Sequence, residues 1–138
     1  MTAAGGQGEA GRTGPDPRVS RGRAGEAIAR RHLERHGYTI LETNYRSRYG
    51  ELDIIARIGD IIAFIEVKAR RGRRFGEPFE AVGPRKQAQI RRMATMWLAE
   101  HQRDEGIARM SFRFDAVAIM LDGRDEEAQL LHLKDAFR

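Results

Sequence analysis

Gly59 and Asp60 separate two β-branched runs, Leu52 to Ile58 and Ile61 to Val67. A two-residue Gly/Asp link between such runs is a strong β-hairpin signal, and it dictates the register. Residue 58 opposes 61, and each outward step keeps the paired numbers summing to 119. Asp53 is then expected opposite Glu66 and Glu51 opposite Lys68. Leu52/Val67, Ile54/Ile65 and Ala56/Ala63 would fill the other face, which is wholly apolar.

Side chains directly opposed across antiparallel strands have Cβ atoms roughly 4.5 to 5.5 Å apart, where like charges destabilise. A hard divalent cation removes that repulsion, because Mg²⁺ takes oxygen ligands and commonly uses one or two carboxylates, waters and substrate phosphate. Lys68, two residues after Glu66, points to the same face. The plainer reading makes Asp53 and Glu66 edge-strand charges and Glu51/Lys68 a surface ion pair. The Ile-rich setting argues against it, since buried charges are usually paired or bound to metal.

The 138 residues suffice for one domain with a core. The first 20 hold five of the 15 glycines and two of the four prolines without an apolar period, so they read as a disordered tail. The fold is expected over 21–138. With no cysteine, disulfides and thiolate zinc sites are excluded. An uninterrupted apolar run such as Ile61 to Ile65 is far short of the ~20 residues a membrane span needs. No leader pattern precedes the fold, so a soluble, cytoplasmic protein is expected.

The net charge of +5 is unevenly spread. Residues 70 to 92 alone carry +6, from Arg70, Arg71, Arg73, Arg74, Arg85, Lys86, Arg91 and Arg92 against Glu77 and Glu80. Basic charge beginning two residues after Lys68 suits a phosphate backbone. Arg70, Arg71, Arg73, Arg74, Arg85, Lys86 and Gln87 form the candidate nucleic-acid-binding set. A solubilising loop is the alternative.

Gly25 to His36 favours helix, with Gly37 as its stop. Glu26 shares a face with Ala29 and Leu33, so its carboxylate either turns inward towards the acid site or complements the helix dipole. Tyr38 to Arg46 reads as the first strand and Ala69 to Gly83 as a loop. Pro84 opens a second helix, in which Ile90, Met93, Ala94, Trp97 and Leu98 form one apolar stripe. Trp97 is thereby assigned to the core. Arg85, Lys86, Gln89 and Arg92 lie off the stripe, near the positive end of the helix. Phe112 to Leu121 is a strong strand and Gln129 to Lys134 a weaker one. Asp115 is a further buried acid or the partner of Arg113. His32 and His36 have metal-ligand spacing but lack a completing ligand and read as exposed. The order α-β-β-β-α-β-β defines a mixed α/β sheet flanked by helices. No P-loop, dinucleotide fingerprint or nucleophile elbow occurs.

Asp53 followed by Glu66, Val67 and Lys68 on a hairpin, after a helical Glu26, resembles the PD-(D/E)xK nuclease superfamily with its restriction-endonuclease-like fold. The wider set of Gly25, Glu26, Ala29, Gly50 to Asp53, Phe64 to Lys68, Lys86, Gln87, Arg113 to Asp115, Ala136 and Phe137 resembles the small bacterial YraN family of endonuclease-like proteins over 21–138. The resemblance implies that Asp53 and Glu66 bind Mg²⁺ or Mn²⁺, with Glu26 as an outer ligand. It implies Lys68 as catalytic base and DNA as partner. Archaeal Holliday-junction resolvases are similar, so structured or branched DNA is the implied substrate. Leu52 stands where the superfamily motif has proline, a position without a ligand role. Cutting two strands symmetrically would call for a homodimer. A noncatalytic nucleic-acid-binding module is the alternative, and an interaction protein with solubilising charge is a third.

Overall fold

In a computed structural model describing residues 17–72 and 82–138, the apolar runs become strands and the two apolar stripes become helices. The order is α1 (Pro17–Arg35), β1 (Thr39–Ser47), β2 (Gly50–Ile58), β3 (Ile61–Arg71), α2 (Pro84–Glu100), α3 (Glu105–Ala108), β4 (Ser111–Leu121) and β5 (Glu127–Phe137). This is the expected mixed α/β arrangement, with a four-residue α3 added. Asp104 caps α3 by accepting from the Gly106 and Ile107 N–H groups. Among the described residues no helix is long and apolar enough to cross a membrane.

The strands lie in one sheet in sequence order, antiparallel throughout except where β3 runs parallel to β4. A parallel pair needs a crossover, and the segment containing α2 supplies it. Helix α1 covers one face through Ile28, Ala29 and Leu33, packed with Ile54, Ala56, Ala63, Ile65, Val117, Ile119 and Leu121. Helix α2 covers the other through Ile90, Met93, Ala94 and Trp97, packed with Leu52, Ile55, Ile62 and Phe64. Each large apolar side chain removed from water contributes about 1.5–3 kcal/mol. Both faces of the central strands β2, β3 and β4 are therefore largely dry, which explains why β3 and β4 read as continuous apolar runs. Trp97 is buried as expected, and its indole N–H donates to Glu42 Oε1 at 2.9 Å. Tyr45 donates to Glu100 Oε1 at 2.8 Å, a second tie between β1 and α2.

Several boundaries differ from expectation. Helix α1 begins at Pro17, so 17–20, assigned to the tail, are helical. Residues 1–16 lie outside the described residues. Strand β3 continues through Ala69, Arg70 and Arg71, assigned to a loop, because β4 offers Ile119, Met120 and Leu121 as parallel partners. Strand β5 is longer than Gln129 to Lys134 for the same reason, pairing with β4 from Glu127 to Phe137.

Gly25 fixes how closely α1 approaches the sheet. A Cβ there would stand 2.6 Å from the Ala69 Cβ, an atom bonded directly to backbone and unable to swing aside. Despite the helix-propensity gain of up to ~1 kcal/mol, Gly25→Ala is expected to lower stability by about 1–3 kcal/mol through overpacking. Urea denaturation reads this, and an unchanged midpoint would mean that α1 slides freely.

Candidate functional site

The 119 register holds for the five pairs from Ile58↔Ile61 to Ile54↔Ile65, where the ladder stops. The expected ladder pairs Leu52/Val67, Asp53/Glu66 and Glu51/Lys68 do not form, because the alternation of β2 breaks at Asp53. Leu52 packs in the α2 cluster and Ile54 in the α1 cluster, although residues two apart normally share a face. Opposite the break, between the pairs Thr43↔Ile54 and Tyr45↔Leu52, Asn44 has a φ of 54°. Asparagine tolerates this left-handed conformation better than most residues.

The break turns the Asp53 side chain into the opening between β2 and β3. Its Oδ2 accepts the Val67 N–H at 2.7 Å, taking the place of a ladder bond. Asp53 faces a pocket of about 450 Å³ that Glu26, Asn44, Glu51 and Val67 also line. Glu66 is buried and is met from the α2 side, where Lys86 Nζ lies 3.4 Å from its Oε2. The two acids thus meet at the edge of the opening instead of lying side by side on one face.

Burial pushes the Asp53 carboxyl up to about 8, helped by a shared hydrogen bond with Glu66 and by that neighbour's charge. The Val67 N–H only partly offsets this. A carboxyl raised above its unfolded value makes folding less favourable as pH climbs from the unfolded to the folded pKa. Metal-free protein is expected to lose thermal stability from about pH 4 to about pH 8, and Asp53→Asn to flatten that part of the profile. Superimposable melting-temperature profiles for the two proteins would contradict it.

Glu26 lines the Asp53 pocket, but its Oε1 accepts from Asn44 Nδ2 at 2.8 Å. Among the described residues no group of three or more His, Asp or Glu side chains gathers as a metal centre, so Glu26 is not drawn in as a third ligand. Lys68 is half-buried on β3 and, by alternation, faces the same way as Glu66. Glu51 pairs with Arg46 at 2.6 Å instead of opposing Lys68. His32 is half-buried, its ring centroid 4.2 Å from that of His36 at a tilt of 35°, and it is edge-on to His132.

The basic set divides. Arg71 is engaged by Asp125 through two bonds of 3.0 and 3.2 Å, a clasp on the end of the sheet. Gln87 donates to Val82 O and accepts from Arg91, so it secures the first turn of α2 instead of offering its amide to a partner. Lys86 is turned to Glu66, and Arg85 is exposed. Arg70 is exposed at the end of β3, while Arg73 and Arg74 lie outside the described residues. Asn44, which the sequence reading missed, had one signal: an Asn interrupting the β1 run opposite Asp53.

Two acidic oxygen donors forced together, one of them holding its proton far above the usual carboxylate range, suit a small hard divalent cation. The chain therefore combines a five-stranded mixed sheet, a helix on each face and a carboxylate pair where two strands part. The particular family is set by sequence: residues 25–119 match the model of "Uncharacterised protein family UPF0102", and the chain belongs to that family, the YraN family. It is 47% identical over 116 residues to a UPF0102 protein of Rhodococcus jostii, covering 84% of this chain and 94% of that one. Similar relatives occur in Syntrophus aciditrophicus, at 47% over 84% and 87% of the two chains. Another, in Caldicellulosiruptor bescii, is 42% identical over 84% and 95%.

Proposed function

We propose that this protein is a metal-dependent nuclease that hydrolyses phosphodiester bonds in DNA, with branched or structured DNA as the preferred substrate. The supporting observation is the meeting of Asp53 and Glu66 where β2 and β3 part, next to Lys68 on the same strand. Asp53 and Glu66 would hold Mg²⁺ or Mn²⁺, and Glu26 would add negative charge to the pocket it shares with Asp53. Bound there, the cation would polarise the scissile phosphate and lower the pKa of a water. Lys68 Nζ would orient that water and, in its neutral amine form, take its proton. Lys86, already beside Glu66, supplies positive charge near the phosphate.

A noncatalytic nucleic-acid-binding module is the second reading, favoured by the same Lys86–Glu66 contact, in which a protein cation already neutralises one acid. The two readings part in an assay of labelled linear, flap, splayed and four-way DNA with and without Mn²⁺. Cleavage that appears only with the metal is expected. Salt-dependent binding with no cleavage of any substrate would replace the nuclease by the binding module.

A further inference from the structure

The turn joining β1 to β2 is pinned against α2 by contacts that the acid pair does not use. The Tyr49 N–H donates to Ser47 Oγ at 3.0 Å, Ser47 Oγ contacts Met93 Sδ at 2.8 Å, and Gln89 Nε2 donates to the Tyr49 carbonyl. Gly50 makes the fit possible, with a φ of 137° and no Cβ to overlap the Gln89 side chain. The pinned ring then organises cations. The Arg48 guanidinium lies 5.0 Å and the Arg92 guanidinium 4.6 Å from the Tyr49 ring centroid, within cation–π range. Arg48 Nη2 also donates to Tyr49 Oη at 2.8 Å.

Arg85, Gln89 and Arg92 follow i, i+4, i+7 spacing on α2, and with Tyr49 they line a concavity of about 370 Å³. Among the described residues, no carboxylate lies in ion-pair range of Arg48, Arg85 or Arg92. Holding like charges around one ring is unfavourable unless an anion joins them, and planar guanidiniums match phosphate oxygens bidentately. Lys86, beside Glu66, precedes Arg92 by about 9 Å along the helix axis, a length spanning two to three phosphates of one DNA strand at about 3.4 Å each. The cluster therefore flanks the acid pair along α2.

We propose that Arg48 and Arg92, held by Tyr49 and joined by Arg85, form a clamp for backbone phosphates of the nucleic acid flanking the cleavage position. This rests on the nuclease reading for its ligand. The clamp grips the backbone and reads no bases, so its contribution is independent of sequence and sensitive to salt.

The test measures binding alone, by fluorescence anisotropy of full-length protein on short labelled duplex and single-stranded DNA in EDTA over a salt series. Arg48→Ala/Arg92→Ala, at two exposed positions, is expected to raise Kd about tenfold. It should also make the slope of log K against log salt shallower by about two, at roughly 0.9 for each phosphate no longer neutralised. Arg30→Ala/Arg31→Ala, at exposed positions on α1 with the same charge change, serves as control and should leave binding within about twofold. Equal weakening by both pairs would reduce the effect to net charge and overturn the clamp, as would an unchanged slope or no DNA binding by the wild type. Wild-type binding with a steep slope but no cleavage in Mn²⁺ would overturn the nuclease reading and leave the clamp standing.

Discussion

Asp53→Asn and Lys68→Ala are each expected to reduce Mn²⁺-dependent cleavage by about a thousandfold or more while changing DNA affinity by no more than a few-fold. The amide introduced by Asp53→Asn keeps the shape of the side chain and can still accept the Val67 N–H that Asp53 Oδ2 accepts at 2.7 Å. It removes the charge that a divalent cation needs. Losing a positioned acid or base alone costs roughly 10²- to 10⁴-fold, and losing metal-based charge stabilisation costs several kcal/mol more. Binding survives because affinity for DNA resides mostly in phosphate contacts from cations, not in the acids. Removing a carboxylate near a polyanion can even strengthen it. Single-turnover cleavage and anisotropy in EDTA separate the two effects. Cutting by both variants at the wild-type rate would remove the catalytic assignment of the acid pair and its lysine.

Asp115→Ala is expected to destabilise the protein by about 3–5 kcal/mol, the usual cost of leaving buried partners without their counter-charge. Asp115 is fully buried on β4, and its two oxygens receive four bonds. Arg113 donates to both at 2.8 Å, His132 Nε2 approaches Oδ2 at 2.9 Å, and the Asp135 N–H reaches Oδ1 at 3.0 Å. Arg113 also donates to Tyr38 Oη at 2.8 Å, so this carboxylate ties β4 and β5 to the residue that follows α1 and its turn. The sequence reading of an Arg113 partner is borne out, and the larger network is an addition to it.

The pH dependence of Asp115 has the opposite sign to that of Asp53. Burial pushes the carboxyl up, but the bonds from His132, Arg113 and the Asp135 N–H outweigh it, and the group ionises below its ordinary value. A depressed folded-state pKa contributes stability above the unfolded value near 3.9, and that stability is lost as pH falls below it. Asp115→Asn should therefore lose more at pH 7 than in acid, relative to wild type. Equal losses at both pH values, by urea denaturation, would show that the network acts through shape and not charge.

The parts legible in the sequence were those whose physics is local. A two-residue Gly/Asp turn fixes the pairing of the strands beside it, so Ile54↔Ile65 through Ile58↔Ile61 could be counted out. A 3.6-residue period marks a helix face, so Ile90, Met93, Ala94 and Trp97 could be assigned to the core. Asp53, Glu66 and Lys68 were found because acids inside Ile-rich strands violate the usual burial pattern. Turn and period act over a few residues and do not need the rest of the chain.

Register counting failed where distant segments compete for the same groups. Nothing in the hairpin states that Asp53 will accept the Val67 N–H, end the ladder and meet Glu66 through an opening in the sheet. That depends on Asn44 of β1 adopting a left-handed conformation across the strand. The parallel docking of β4 extended β3 through residues assigned to a loop. Packing of α2 on the sheet carried Lys86 to Glu66 and Arg92 to the ring of Tyr49, 43 positions earlier. The chain could specify which residues are acidic, basic or apolar and how near neighbours pair. Which charges face one another across tens of residues was settled by burial of the two apolar faces, because burying the Ile-rich strands constrains the helices far more strongly than any single ion pair could.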